Sequence, residues 1–296
     1  MLKLIVTFSM YCLLATGSDQ DYQLHKNWPK QMERGCGETY ADRIVGGKYA
    51  KLGQYPWMAQ LLYKERNDQL ISLCGGSLVT PFHVISAAHC VHGKELASKL
   101  DSVGLGDYDI KTDPDCEEDI CAEPKQVIKI AKVIMPDTYS METMKDDISV
   151  LILESQAILN GWVNAICLPT GREQIGGGGG VGEVAGWGIS NIKTRSSEHI
   201  LNYVKLPLLD MDYCRDQTKL PVSGKTQLCA GSTNLNQDSC NGDSGGPLMQ
   251  IANSINGGPR YYITGIVSYG PIACGIAPAV YTKVSSYMDF ILNAMH

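Results

Sequence analysis

Gly242-Asp243-Ser244-Gly245-Gly246-Pro247 surrounds one serine with small residues. Glycines on both sides permit a tight turn that exposes the hydroxyl and lets a carbonyl group approach the backbone closely. A serine hydroxyl is a weak nucleophile until a neighbouring base takes its proton. Gly242 to Gly246 also fits the G-x-S-x-G nucleophile turn, but that arrangement places an acid and then a histidine after the serine. The only downstream histidine is His296, the last residue, so the base must lie upstream.

Of the six histidines, His89 stands in Ser86-Ala87-Ala88-His89-Cys90, at the end of a β-rich run and beside a cysteine able to pin it. His25, His83, His92, His199 and His296 read as ordinary surface or satisfied side chains. A carboxylate is needed to orient the imidazole, and Lys145-Asp146-Asp147-Ile148-Ser149-Val150-Leu151 offers two. Asp147 opens directly into the apolar run, where a carboxylate is buried and requires a partner. Asp146 is expected to face solvent.

The 296 residues are 44% hydrophobic, enough for a sizeable core, which argues against global disorder. The net charge of −6 gives no footprint for nucleic acid. Lys3 followed by the apolar run Leu4–Leu14 and the small residues Ala15 and Gly17 reads as a secretory signal over residues 1–17. The run is too short to span a bilayer, so no membrane association is expected and the protein is placed outside the cell. The chain has eleven cysteines and no C-x-x-C pair, the pattern of structural disulfides rather than zinc. Loss of Cys12 with the signal leaves an even set, whose connectivity the sequence leaves open. There is no N-x-S/T acceptor for N-glycosylation.

Residues 18–43 are polar and read as a propeptide or light chain rather than a domain. From there on, short β-rich runs recur between Gly, Pro, Asn and Asp: Trp57–Tyr63, Ser77–Val79, His83–Ser86, Val127–Ile134, Ser149–Leu153, Gly182–Trp187, Tyr261–Tyr269 and Ala279–Val284. That spacing indicates an all-β barrel or sandwich. One helix closes the chain, capped by Ser285 or Ser286, with Tyr287, Phe290, Ile291, Ala294 and Met295 on one face. The five glycines Gly176–Gly180 read as a mobile surface loop, since a phosphate cradle needs a helix after it and a strand follows instead.

The order His89, Asp147, Ser244, in these three contexts, resembles trypsin- and chymotrypsin-like serine proteases. Ile44-Val45-Gly46-Gly47, Gly186-Trp187-Gly188 and Val280-Tyr281-Thr282-Lys283-Val284 carry the resemblance further, and it runs from Arg43 to the C-terminus. Asp113-Pro114-Asp115-Cys116 with Cys121 is similar to a loop of arthropod clip-domain proteases. A clip module needs six cysteines ahead of the protease domain, and only Cys36 stands there, so that module is expected to be absent. The resemblance implies two six-stranded antiparallel β-barrels with a C-terminal α-helix, and a protease domain over 44–296.

It also implies a site. His89, Asp147 and Ser244 would form the catalytic triad, with the N–H groups of Gly242 and Ser244 as the oxyanion hole. Asp238 would lie at the floor of the specificity pocket beside Ser239 and select Arg or Lys. Ser268, Tyr269 and Gly270 would form the wall that pairs with the substrate backbone. Ala279 stands where the family usually has Gly, and its methyl would narrow the pocket. Cleavage after Arg43 would free the Ile44 ammonium to pair with Asp243, making the chain a zymogen. The cysteines would pair as Cys36–Cys167, Cys74–Cys90, Cys116–Cys121, Cys214–Cys229 and Cys240–Cys274.

Partners implied are protein substrates, an upstream activating protease and serpin-type or other protease inhibitors. No cofactor is expected. Some family members bind calcium near the acidic Asp107–Asp119 loop, but a solvated charged loop is the favoured reading there. A non-catalytic homologue acting as a binding cofactor is the alternative function. Such proteins usually lack a triad member, and here His89, Asp147 and Ser244 are all present.

Overall fold

The computed structural model describes residues 22–33, 35–39, 49–173, 175–177, 179–191, 196–197, 199–218, 222–231, 243–254, 257–270 and 277–295. Twelve strands close into two barrels. The first holds β1 (Met58–Lys64), β2 (Leu70–Thr80), β3 (His83–Ser86), β4 (Leu100–Leu105), β5 (Gln126–Ile134) and β6 (Ser149–Leu153). The second holds β7 (Val181–Gly186), β8 (Asn202–Leu209), β9 (Gln227–Ala230), β10 (Pro247–Asn253), β11 (Pro259–Tyr269) and β12 (Ala279–Lys283).

Every paired strand is antiparallel. The spatial order is β1-β2-β3-β6-β5-β4 in the first barrel and β7-β8-β9-β12-β11-β10 in the second, so both follow one topology. Closure leaves neither barrel a free edge. In β1, Met58–Leu62 and Tyr63 are all buried, as suits a strand with packed side chains on both faces. Trp57, fully buried, donates from Nε1 to Met249 Sδ of β10 at 3.0 Å and so joins the barrels. Tyr55, Tyr203 and Tyr261 pack beside it. Buried Glu183 accepts from the Tyr55 and Tyr261 hydroxyls at 2.8 and 3.1 Å.

Three expectations need correcting. The Ser77–Val79 run is only the buried end of an eleven-residue strand, whose first half carries exposed side chains and shows little apolar pattern. The C-terminal helix begins as a 3-10 turn at Val284–Tyr287 and becomes α only at Met288–Ala294. No serine side chain caps it, because Ser286 Oγ donates to the Lys225 carbonyl instead. Its buried face also includes Met288 and Leu292, while Phe290 is half-buried. Two further short helices, α1 (Lys94–Lys99) and α2 (Met211–Thr218), lie on connections; α3 is Met288–Ala294.

The polar arm is anchored. Trp28, Met32 and Cys36 are buried against the body. Asn27 Nδ2 donates to the Leu292 carbonyl of α3, and the Gly37 and Tyr261 N–H groups bond to Ala165 O and Gly37 O. The glycine run is seated as well: Gly176 N donates to Gln250 Oε1 at 2.6 Å, and Leu208 N donates to Gly180 O.

Candidate active site

β3 delivers His89. The strand ends at Ser86, and Ala88–Cys90 forms a 3-10 turn that lifts the imidazole to 19% exposure. The Cys74–Cys90 disulfide ties that turn to β2, and the Tyr63 hydroxyl donates to Cys90 O at 2.7 Å. Among the described residues one Cys/His grouping, Cys74, His89 and Cys90, has metal-like spacing, but both of its sulfurs are in that disulfide.

β6 delivers Asp147, which has no solvent exposure. Its Oδ1 accepts from the His89 backbone N–H, and its Oδ2 lies 2.8 Å from His89 Nδ1. The Ser268 hydroxyl of β11 donates to the same Oδ2 at 2.5 Å. Thr282 Oγ1 of β12 donates to the Asp147 carbonyl at 2.7 Å. A buried carboxylate gripped by three donors is fixed in place and orients the ring through Nδ1.

Asp146 departs from expectation. It is 11% exposed at the side chain and accepts from the Tyr287 hydroxyl, because a left-handed turn directs it inward.

Ser244 lies on the turn leading into β10. Its carbonyl accepts from Gly75 N of β2 at 2.8 Å, while Gly245 N donates to Val267 O of β11 at 2.9 Å. Gly245 has φ of +79°. A Cβ there would overlap Ser86 Oγ and approach Gly75 O to 2.5 Å and Ala87 N to 3.2 Å. Only glycine lets this loop press against the segment carrying His89. The serine turn, the histidine turn and the Asp147 bend therefore meet at the junction of the two barrels.

Asp243 turns away from Ser244 and accepts from Gly188 N at 3.0 Å. A Cβ at Gly186 or Gly188 would run into its carboxylate. That carboxylate borders a cavity of about 140 Å³ walled also by Met58, Gln60, Ile110 and Trp187.

Ser268 and Tyr269 end β11, and the Ala279 methyl at the start of β12 faces Gly270, whose own Cβ would lie 3.2 Å from it. Arg43, Ile44, Asp238, Ser239, Cys240, Gly242 and Cys274 lie outside the described residues. Four disulfides are present among the described residues: Cys36–Cys167, Cys74–Cys90, Cys116–Cys121 and Cys214–Cys229.

The acidic loop is solvated in part: Asp113, Glu118 and Asp119 are exposed, whereas Asp107 and Asp115 are buried. Asp107 is buried and paired with Lys125 Nζ at 2.9 Å. Burial pushes its carboxyl above the ordinary range, against the pull of that ammonium. Asp115 accepts from Tyr108 N, Asp109 N and Thr112 Oγ1. Asp113 accepts from Lys125 N, and Glu117 from Lys51 Nζ and Leu52 N. Asp109 Oδ1 and His199 Nδ1 stand 2.9 Å apart, fastening the loop to the second barrel. Asp107, Asp109, Asp113, Asp115 and Glu117 are thus engaged by the chain's own groups, while Glu118 and Asp119 are exposed.

Sequence reasoning missed Thr282 and Tyr287, and placed Ser268 only on the pocket wall. No local pattern marks them, since their partners lie 121 to 141 residues away.

Two six-stranded barrels with a His–Asp pair and a glycine-flanked serine at their junction define a chymotrypsin-like serine protease fold. The trypsin family profile matches residues 44–291, and the chain belongs to that family. It is 38% identical to the CLIP domain-containing serine protease HP8 of Bombyx mori, over 89% of this chain and 72% of that protein. It is 36% identical to phenoloxidase-activating enzyme 1 of Spodoptera litura (88% and 69% covered). Identity is also 36% to the Spaetzle-processing enzyme of Drosophila melanogaster (86% and 67% covered). Among solved structures, the Drosophila Grass clip serine protease of the Toll pathway superposes with a TM-score of 0.78 at 30% identity, covering 93% of this chain and 77% of that one.

Proposed function

We propose that the chain is a secreted serine endopeptidase zymogen that hydrolyses peptide bonds after Arg or Lys. The observation that carries this reading is the Asp147 carboxylate, buried and shared by His89 Nδ1 and Ser268 beside the Ser244 turn. His89 Nε2 takes the Ser244 proton as the hydroxyl attacks the scissile carbonyl, then gives it to the leaving amine. Asp147 holds the tautomer and stabilises the imidazolium. The N–H groups of Gly242 and Ser244 take the oxyanion, each worth about 3–4 kcal/mol in comparable sites. No step requires a metal or organic cofactor.

Residues 1–17 serve as signal and 18–43 as a light chain held to the 44–296 protease domain by Cys36–Cys167. Cleavage after Arg43 by an upstream protease releases the Ile44 ammonium toward Asp243, and the apolar-walled cavity beside that carboxylate has room for a small aliphatic side chain. Asp238 and Ser239 receive the basic side chain, and Ser268–Gly270 pair with the substrate backbone. Relatives named for activating phenoloxidase and processing Spaetzle support limited proteolysis of protein substrates; serpin-type or other protease inhibitors are further partners of this reading.

The test is peptide turnover by Arg43-cleaved wild type and Ser244→Ala. Turnover lost in the variant, with secretion intact, supports the reading; retained turnover overturns it. A wild type inert to peptides and to serine-directed acylating reagents would identify a binding homologue instead.

A further inference from the structure

The Tyr287 hydroxyl, from the last position of the 3-10 turn before α3, donates to Asp146 Oδ1 at 2.8 Å. Asp146 directly precedes the candidate catalytic acid and holds φ of +56°, a left-handed angle that is strained for a residue with a side chain. The Ile148 N–H closes back onto Asp146 O at 2.9 Å, so the chain bends sharply with Asp147 inside the bend. The direction in which Asp147 leaves the backbone therefore follows from the Asp146 angle.

Within the bend, the Ile148–Asp146 hydrogen bond fixes only the backbone, and the Asp146 carboxylate has just a loose neighbour in Lys145, 3.7 Å away and 63% exposed. The firm contact is the phenol. Tyr287 is buried, and burial together with the Asp146 carboxylate raises its pKa above the ordinary phenol value, so it remains a donor. Thr282, five residues earlier in the same C-terminal segment, grips the Asp147 carbonyl.

We propose that Tyr287 and Asp146 are positioning residues: their hydrogen bond holds the left-handed turn that aims the Asp147 carboxylate at His89. The proposal rests on the reading of His89, Asp147 and Ser244 as the catalytic group. Neither Tyr287 nor Asp146 touches the reacting atoms; both act through Asp147.

The test compares Tyr287→Phe, Asp146→Ala and Asp146→Asn with wild type in the Arg43-cleaved full chain. Asparagine tolerates the left-handed angle and its carbonyl accepts the same hydrogen bond. The expected result is kcat lowered about tenfold with KM unchanged in Tyr287→Phe and Asp146→Ala, and near wild-type kcat in Asp146→Asn. A second readout is the far-downfield proton resonance shared by His89 and Asp147. It should weaken through solvent exchange in Tyr287→Phe and persist in Asp146→Asn. Wild-type kcat with an unchanged resonance in Tyr287→Phe overturns the proposal. So does Asp146→Asn as impaired as Asp146→Ala, which would assign the effect to charge. If wild type itself turns over no peptide, the protease reading fails, while the resonance in the variants still decides the positioning role.

Discussion

Ser268 Oγ and His89 Nδ1 meet on one oxygen, Asp147 Oδ2, at 2.5 and 2.8 Å. Ser268 ends β11 of the second barrel and His89 follows β3 of the first, so the carboxylate is clamped from both sides of the barrel junction. With no solvent reaching Asp147, every lost donor is felt in full. Ser268→Ala should cost about 1–3 kcal/mol, a loss of roughly 5- to 150-fold in kcat/KM on a peptide substrate. Asp147→Asn should cost far more, about 10⁴ in kcat, because an amide stabilises the wrong imidazole tautomer. Equal, small effects of the two would show that the clamp does not serve catalysis.

The N-terminal arm, the light chain of the proposed zymogen, should stay attached under native conditions even after its disulfide is reduced. Trp28 and Met32 are buried, Asn27 bonds to Leu292, and Glu38 pairs with Arg260. After cleavage at Arg43, mild reduction should leave the two chains co-eluting on gel filtration, with separation only under reducing and denaturing conditions. Trp28→Ala should release the segment from the reduced protein. Release without that change would mean Cys36–Cys167 alone holds it.

Much of this arrangement was legible in the chain. Trp57–Tyr63, Ser149–Leu153 and Tyr261–Tyr269 announced themselves because they are buried along most of their length and rich in apolar residues. β8 and β9 did not. β8 carries Lys205 and Pro207 within it, and β9 has only four residues, so their strand character comes from β7 and β12 alongside them. The same holds at the site. His89 and Ser244 stand in contiguous motifs, whereas the grip of Ser268, Thr282 and Tyr287 on the Asp146–Asp147 bend exists only once the C-terminal strands are wrapped onto the first barrel.

His83 provides a stability probe remote from the chemistry. It begins β3 with Nδ1 2.6 Å from Thr80 Oγ1, and burial lowers its pKa below the ordinary imidazole value. The folded protein therefore resists protonation that the unfolded chain accepts below about pH 6.5. Since the unfolded state then binds more protons, stability is lost as pH falls through that value toward the folded-state pKa. Thermal melts from pH 7.5 to 5 should show a shallower decline in His83→Gln than in wild type. Parallel curves would exclude His83 as a source of the acid sensitivity.

Asp107 should act with the opposite sign. Its raised carboxyl pKa means that the fold disfavours its ionised form, a penalty absent below the unfolded pKa near 4 and complete above the folded one. On this residue's account alone, stability declines as pH rises through that window. Asp107→Asn, which cannot ionise, should flatten this component as pH rises above about 4 in denaturant titrations. The amide oxygen still accepts from Lys125 Nζ, which stands 2.9 Å from the carboxylate, but the ion pair is lost, and that loss offsets part of the gain at neutral pH. A slope identical to wild type would rule out Asp107 as a contributor.

In the proposed protease, specificity would turn on the narrow gap between the ends of β11 and β12. The Ala279 methyl is buried and faces Gly270, where an added Cβ would stand only 3.2 Å away. A pocket entered between these residues is tighter than one with glycine at 279. The Arg guanidinium is a wide planar fork, whereas the Lys ammonium is compact and can reach a carboxylate such as Asp238 through a water. Ala279→Gly should therefore raise cleavage after Arg relative to Lys by several-fold, read as the ratio of kcat/KM on paired peptides differing only at that residue. Gly270→Ala should crowd the same gap and lower both rates. A ratio unmoved by Ala279→Gly would show that the methyl does not border the pocket, and a wild-type preference for aromatic residues would displace Asp238 from its floor.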